Sequence, residues 1–299
     1  MWLDYVTPLR FITLPKAHRA GFGKTIDKAL TGGLFLMRKI DCHTHIVTEQ
    51  IRSEYFSRVD NYALVMQMPD SIMPTPDCVK TVMSDQRLFL CPYIDLKSSV
   101  SDRLNFLEPR IDDYKVVGLK VYLSYQRGRA DDEKLFPAYE FAAKHRLSVT
   151  FHTGLCSLVL PSDNDLEGSS AVHIAHAAEL YPQVNFIAAH MDDPEFDRCM
   201  DIVAAHKNIF TDISGAYETG TEYGADVDNA IALFKHATDR HPECYTRMLY
   251  GTDFCPPISL GQLDEYDYSL NKMFPPETHE DICFNNALRA FPRLKDYIK

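Results

Sequence analysis

The hexapeptide Ile40-Asp41-Cys42-His43-Thr44-His45 carries two imidazoles one residue apart at the end of a β-type run. Side chains alternate across a strand, so Asp41, His43 and His45 are expected on one face and Cys42 and Thr44 on the other. Imidazole is the commonest metal ligand, and a pair at i and i+2 can grip one ion. Taken alone, such a pair is also an ordinary pair of polar residues near a strand end. Its weight comes from what recurs along the chain. Val149-Thr150-Phe151-His152 and Phe186-Ile187-Ala188-Ala189-His190 each end an apolar run in a histidine, and Leu249-Tyr250-Gly251-Thr252-Asp253 ends one in a carboxylate. Gly251 shares the face of Asp253 and leaves room beside it. A buried aspartate without a partner is costly, so Asp253 calls for a cation.

Lys120 lies mid-run in Val117-Gly118-Leu119-Lys120-Val121-Tyr122, where an ammonium group needs a partner or a lowered pKa; a structural ion pair would account for it equally well. The segment Tyr125-Gln126-Arg127-Gly128-Arg129 follows at once. Arg127 or Arg129 could hold a substrate carboxylate bidentately, although solvation is the commoner fate of a surface arginine. His173 and His176 fall on a helix-like segment, and His145, His206, His236 and His241 fall near helix C-termini, where imidazolium meets the helix dipole favourably. These six are read as structural.

The elements that must position the ligand types are eight apolar, β-rich runs: 39–44, 63–68, 88–95, 116–123, 148–152, 185–190, 209–213 and 248–253. They recur about every 30 residues, enough for a right-handed crossover to carry a helix. Helical periodicity is expected over 76–85, 101–114, 132–145, 169–180, 194–206, 225–238 and 277–290, several starting with Ser, Asp or Pro. Eight βα units predict a closed (β/α)₈ TIM barrel of the α/β class, whose active site lies at the C-terminal ends of its strands. That is where the two histidine runs and Asp253 stand. Residues 1–38 do not fit the repeat and are read as an N-terminal extension to a single domain over 39–299. Access loops are expected at 155–167, 214–224 and 256–265.

Composition narrows the field. A chain of 299 residues with 45% hydrophobic content can bury one large core. A net charge of −11 opposes a phosphate backbone, so nucleic acid is not the expected partner. Eight scattered cysteines without a C-x-x-C pair suit reduced thiols in the cytoplasm. No run reaches the ~20 apolar residues of a membrane span, so a soluble protein without a membrane partner is expected.

With Asp41-Cys42-His43-Thr44-His45, His152, His190 and Asp253 in this order, the sequence resembles the amidohydrolase superfamily, in its branch of metal-dependent hydrolases and decarboxylases, over about residues 39 to 291. The tail Phe284-Asn285-Asn286-Ala287-Leu288-Arg289-Ala290-Phe291 adds to the likeness. The resemblance implies that His43, His45, His152 and Asp253 hold one divalent metal, with His190 as a second-site ligand or a catalytic histidine. In some relatives a strand-four lysine is carboxylated and bridges two metals, which would make Lys120 a ligand. Nitrogen and oxygen ligands favour zinc, as one or two ions. Met191-Asp192-Asp193-Pro194 stands after His190 where decarboxylases of this branch often have glycines. The expected activity is hydrolysis of a small, carboxylate-bearing amide, ester or lactone, with Asp253 as base. Non-oxidative decarboxylation is the alternative, and a non-catalytic metal-binding barrel the third reading. A homodimer is expected through the extension.

Overall fold

Each of the eight apolar runs becomes a parallel strand: β1 (Ile40–Thr44), β2 (Tyr62–Met66), β3 (Leu88–Cys91), β4 (Gly118–Tyr122), β5 (Ser148–His152), β6 (Phe186–Ala189), β7 (Ile209–Asp212) and β8 (Met248–Leu249). The computed structural model describes residues 37–70, 75–155, 165–215, 227–255 and 263–299. Most of the N-terminal extension and of the three expected access loops therefore lies outside the described residues.

Regular pairing joins β1-β2-β3 and β4-β5-β6-β7-β8. The two arcs meet through Leu90 N to Lys115 O and Val117 N to Leu90 O, both 3.0 Å, and through Cys42 N to Tyr250 O at 2.9 Å. With both seams bonded the sheet closes into a TIM barrel. Hydroxyl caps start several of its helices: those of Thr48, Ser99 and Ser170 accept from Ile51 N, Asp102 N and Val172 N at the starts of the helices Glu49–Phe56, Val100–Leu107 and Ala171–Leu180.

Alternation along the strands builds two cores. Val149, Phe151, Phe186 and Ala188 face outward to the helices, where Phe186 stacks on Phe151 and meets Tyr139 edge-on. Ile40, Leu64, Phe89, Ile187, Phe210 and Leu249 face inward. The C-terminal segment closes the inner core from the strand starts: Phe291 packs against Gly118, and Asn286 Nδ2 donates to Tyr245 O and Met248 O at 2.7 Å.

Helical segments depart from expectation where polar residues mask the period. Glu49–Phe56 buries only Ile51 and Tyr55, and Leu263–Met273 and the one-turn helix Leu123–Gln126 also arise where no helix is expected. The stretch 101–114 stops being α-helical at Leu107 and continues as a 3₁₀ turn through Pro109. The described cysteines are free thiols, and among the described residues no helix is long and apolar enough to cross a membrane.

Candidate metal centre

β1 does not keep strict alternation. Its pairing with β2 shifts register between Asp41 and Thr44. Asp41 is held apart from the imidazoles, accepting from Tyr55 Oη at 3.0 Å and from Thr252 N and Oγ1 at 3.0 and 2.7 Å. Burial pushes its carboxyl up to about 7 against those hydrogen bonds. The shift brings His43 round to Lys120, Asp212 and Ser214, so the single face expected for Asp41 and His43 is broken by a bulge.

Three acceptor atoms then converge at the C-terminal mouth. Asp253, turned by a left-handed backbone (φ 53°), sets Oδ1 2.9 Å from His45 Nε2 and 3.4 Å from His43 Nε2. Tautomers follow from the partners on the other side of each ring. His45 Nδ1 is 2.8 Å from the Met66 carbonyl, which only accepts, so Nδ1 carries a proton, and in the neutral ring Nε2 presents a lone pair. His43 Nδ1 faces Asp212 Oδ2 at 3.2 Å and is in the same state. Burial, aided by the Lys120 charge and opposed by Asp212, pulls His43 down to about 3 and keeps it neutral. A neutral imidazole lone pair and a carboxylate oxygen 2.9 Å apart repel unless a cation lies between them. The donor set of His43, His45 and Asp253 fits a divalent ion.

Behind it lies a network that the sequence reading missed. Ser214 Oγ donates to Asp212 Oδ1 at 2.5 Å and accepts from His43 Nδ1 at 3.1 Å and His190 Nδ1 at 2.9 Å. Asp212 Oδ1 also accepts from His190 N and Ser214 N. Burial alone would raise the Asp212 carboxyl, but the facing imidazoles and the His190 N–H hold it below its ordinary range. His43, His190 and Asp212 form a second group of converging ligand atoms. β6 alternation alone would send His190 outward with Ala188. A left-handed turn (φ 63°, 49° and 58° at residues 190–192) brings it inward to within 4.8 Å of the His43 ring instead.

Lys120 is fully buried with Nζ 3.2 Å from His43 Nε2; burial pulls it down to about 8 against the pull of Asp253 and Asp212. His152, also expected as a ligand, stands outside both groups. Its Nε2 donates to the Leu155 carbonyl at 3.0 Å, and its ring rests 4.8 Å from His190 and 6.2 Å from Tyr122. Arg127 is exposed just after the one-turn helix, and Arg129 is exposed with its guanidinium on Asp131 and His173. A cavity of about 330 Å³ opens beside the turn after β6, lined by Gly154, Ser170, His173, Asp192 and Arg198 among others.

A family model described as amidohydrolase matches residues 104–293, more than half of the chain. The chain belongs to the amidohydrolase family. That match spans Lys120, His152, His190 and Asp253, and the barrel supplies His43 and His45 from outside it. Solved structures agree on the amidohydrolase fold. A TIM-barrel protein from Bordetella bronchiseptica is 14% identical with a TM-score of 0.65, over 87% of this chain and 100% of that one. A 2,6-dihydroxybenzoate decarboxylase is 13% identical with a TM-score of 0.54, over 86% and 100%. A dihydroorotase from Campylobacter jejuni is 13% identical with a TM-score of 0.56, over 86% and 84%. No curated protein sequence matches the chain.

Proposed function

We propose that this amidohydrolase-family barrel is a metal-dependent hydrolase of a small, carboxylate-bearing amide, ester or lactone. The observation that carries the reading is the convergence of His45 Nε2, His43 Nε2 and Asp253 Oδ1, a lone-pair set that also includes a base. These residues would hold a divalent ion, zinc by the chemistry of the donors, which when bound would supply Lewis acidity to a water and to a carbonyl. Asp253 takes the proton of the attacking water and returns it to the leaving nitrogen or oxygen. Lys120, fully buried with its Nζ beside His43, is the side chain we assign to a developing oxyanion. Ser214 and Asp212 hold the His43 and His190 rings in place. Arg127, exposed beyond β4, is the cation we assign to a substrate carboxylate.

Decarboxylation is the competing reading, favoured by the likeness to the 2,6-dihydroxybenzoate decarboxylase. A panel of amides, esters, lactones and aromatic acids turned over in ¹⁸O-water separates the two. Hydrolysis places the label in a product carboxylate, whereas release of carbon dioxide with no label in the organic product would establish decarboxylation. Asp253→Asn should cut turnover by roughly 10²- to 10⁴-fold with an unchanged far-ultraviolet spectrum. Full activity in that variant would remove Asp253 as the base.

A further inference from the structure

His173 and His176 are three residues apart on the helix Ala171–Leu180, so their rings share a face. Asp131, from the segment after β4, meets them there. Its Oδ2 lies 3.2 Å from His173 Nδ1 and 3.0 Å from His176 Nδ1, and the three atoms all lie within 4.8 Å of one another. Two ligands bound to zinc at roughly 2.0–2.1 Å with tetrahedral angles stand about 3.3 Å apart. The Asp131–histidine spacings are close to that separation.

A second observation comes from Arg129, whose Nη2 lies 2.9 Å from His173 Nδ1. A guanidinium only donates, so this Nδ1 must accept from it. It then cannot donate to Asp131 Oδ2, 3.2 Å away. A buried imidazole thus turns a lone pair toward a carboxylate oxygen, a juxtaposition that a cation relieves. Arg129 fills that role here, its Nη2 also 3.4 Å from Asp131 Oδ2, but weakly. Its side chain is 53% exposed, and its contact with Asp131 is a surface ion pair of the kind that contributes little.

We propose that Asp131, His173 and His176 form a second divalent transition-metal site, separate from the barrel centre, in which Arg129 is the competing cation. Two imidazole nitrogens and one carboxylate oxygen favour Zn²⁺, Ni²⁺ or Cu²⁺ over Mg²⁺ or Ca²⁺. An ion bound there ties the segment after β4 to the helix after β5. The site shares no residue with the His43 centre, so it stands or falls independently of the proposed hydrolysis.

The experiment titrates the full chain, its tight metal already loaded, with Zn²⁺ against a chromophoric chelator while following the melting temperature. The wild-type chain should take up one further equivalent and melt at a higher temperature. His176→Ala and Asp131→Asn should lose both effects and retain the tight metal; His176 is more than half exposed, so its truncation leaves the core intact. Arg129→Met should bind the further equivalent at least tenfold more tightly. Uptake that is absent from the wild-type chain, that persists in both truncations, or that is not strengthened by Arg129→Met overturns the proposal.

Discussion

Asp212→Asn tests whether the network behind the metal centre sets the state of its ligands. The carboxylate accepts from His190 N, Ser214 N and Ser214 Oγ through Oδ1, and from His43 Nδ1 at 3.2 Å through Oδ2. An asparagine can keep its amide oxygen at the Oδ1 position, where two backbone donors need it. Its NH₂ group then faces His43 Nδ1–H, donor against donor. The ring escapes by moving its proton to Nε2, the atom that faces Asp253, and the lone pair offered to a metal is lost. Removing such a supporting partner typically weakens metal affinity 10- to 100-fold, about 1.4–2.8 kcal/mol. Competition with a calibrated chelator measures the change, and thermal unfolding of the metal-free variant checks that the barrel survives. An affinity within twofold of the wild-type chain, with the fold intact, would refute the argument from tautomers.

Gly251→Ala places a Cβ 3.2 Å from that of His43 and 3.4 Å from those of Asp212 and Ser214, atoms fixed to the backbone that cannot swing aside. It should cost about 1–3 kcal/mol in urea unfolding and weaken metal binding in the same chelator assay. Phe186→Ala removes a buried ring stacked on Phe151 and should cost about 3–5 kcal/mol, read from the same unfolding curves. Asp85 is held down to about 2 by Arg87, with help from Arg52. A folded value below the unfolded 3.8 means stability that is present above pH 4 and lost as pH falls through about 2. Asp85→Asn should therefore cost about 2 kcal/mol at neutral pH, and the gap to the wild-type chain should close near pH 2. A gap independent of pH would point to packing instead.

The barrel was legible because its strands announce themselves: outward Val149 and Phe151 alternate with inward Thr150 and His152 inside bounded apolar runs. Asp253 was legible as a carboxylate at such a strand end. Asp212 offers the same signal, since Phe210 and Asp212 share the inward face of Ile209–Asp212, and that cue went unread. Ser214 could not be read, because its role depends on two rings that arrive from other strands. The direction of His190 and the shift at Asp41 are backbone events, a left-handed turn and a bulge, that a rule of alternation cannot anticipate. The engagement of His152 by Leu155 and of Arg129 by Asp131 depends on how the loops settle, which composition does not encode.

The β1/β8 seam has a meaning for how the chain assembles. Asp41 and Thr252 touch across a separation of 211 residues, and β8 contributes only two residues of regular strand. Contacts that close so long a loop are made against a large entropy and bring little ladder in return. His43 and His45 stand on one lip of that seam and Asp253 on the other. An ion held between them would be a clasp as well as a reagent: it could be gripped only once the ring had shut, and while gripped it would hold the ring closed.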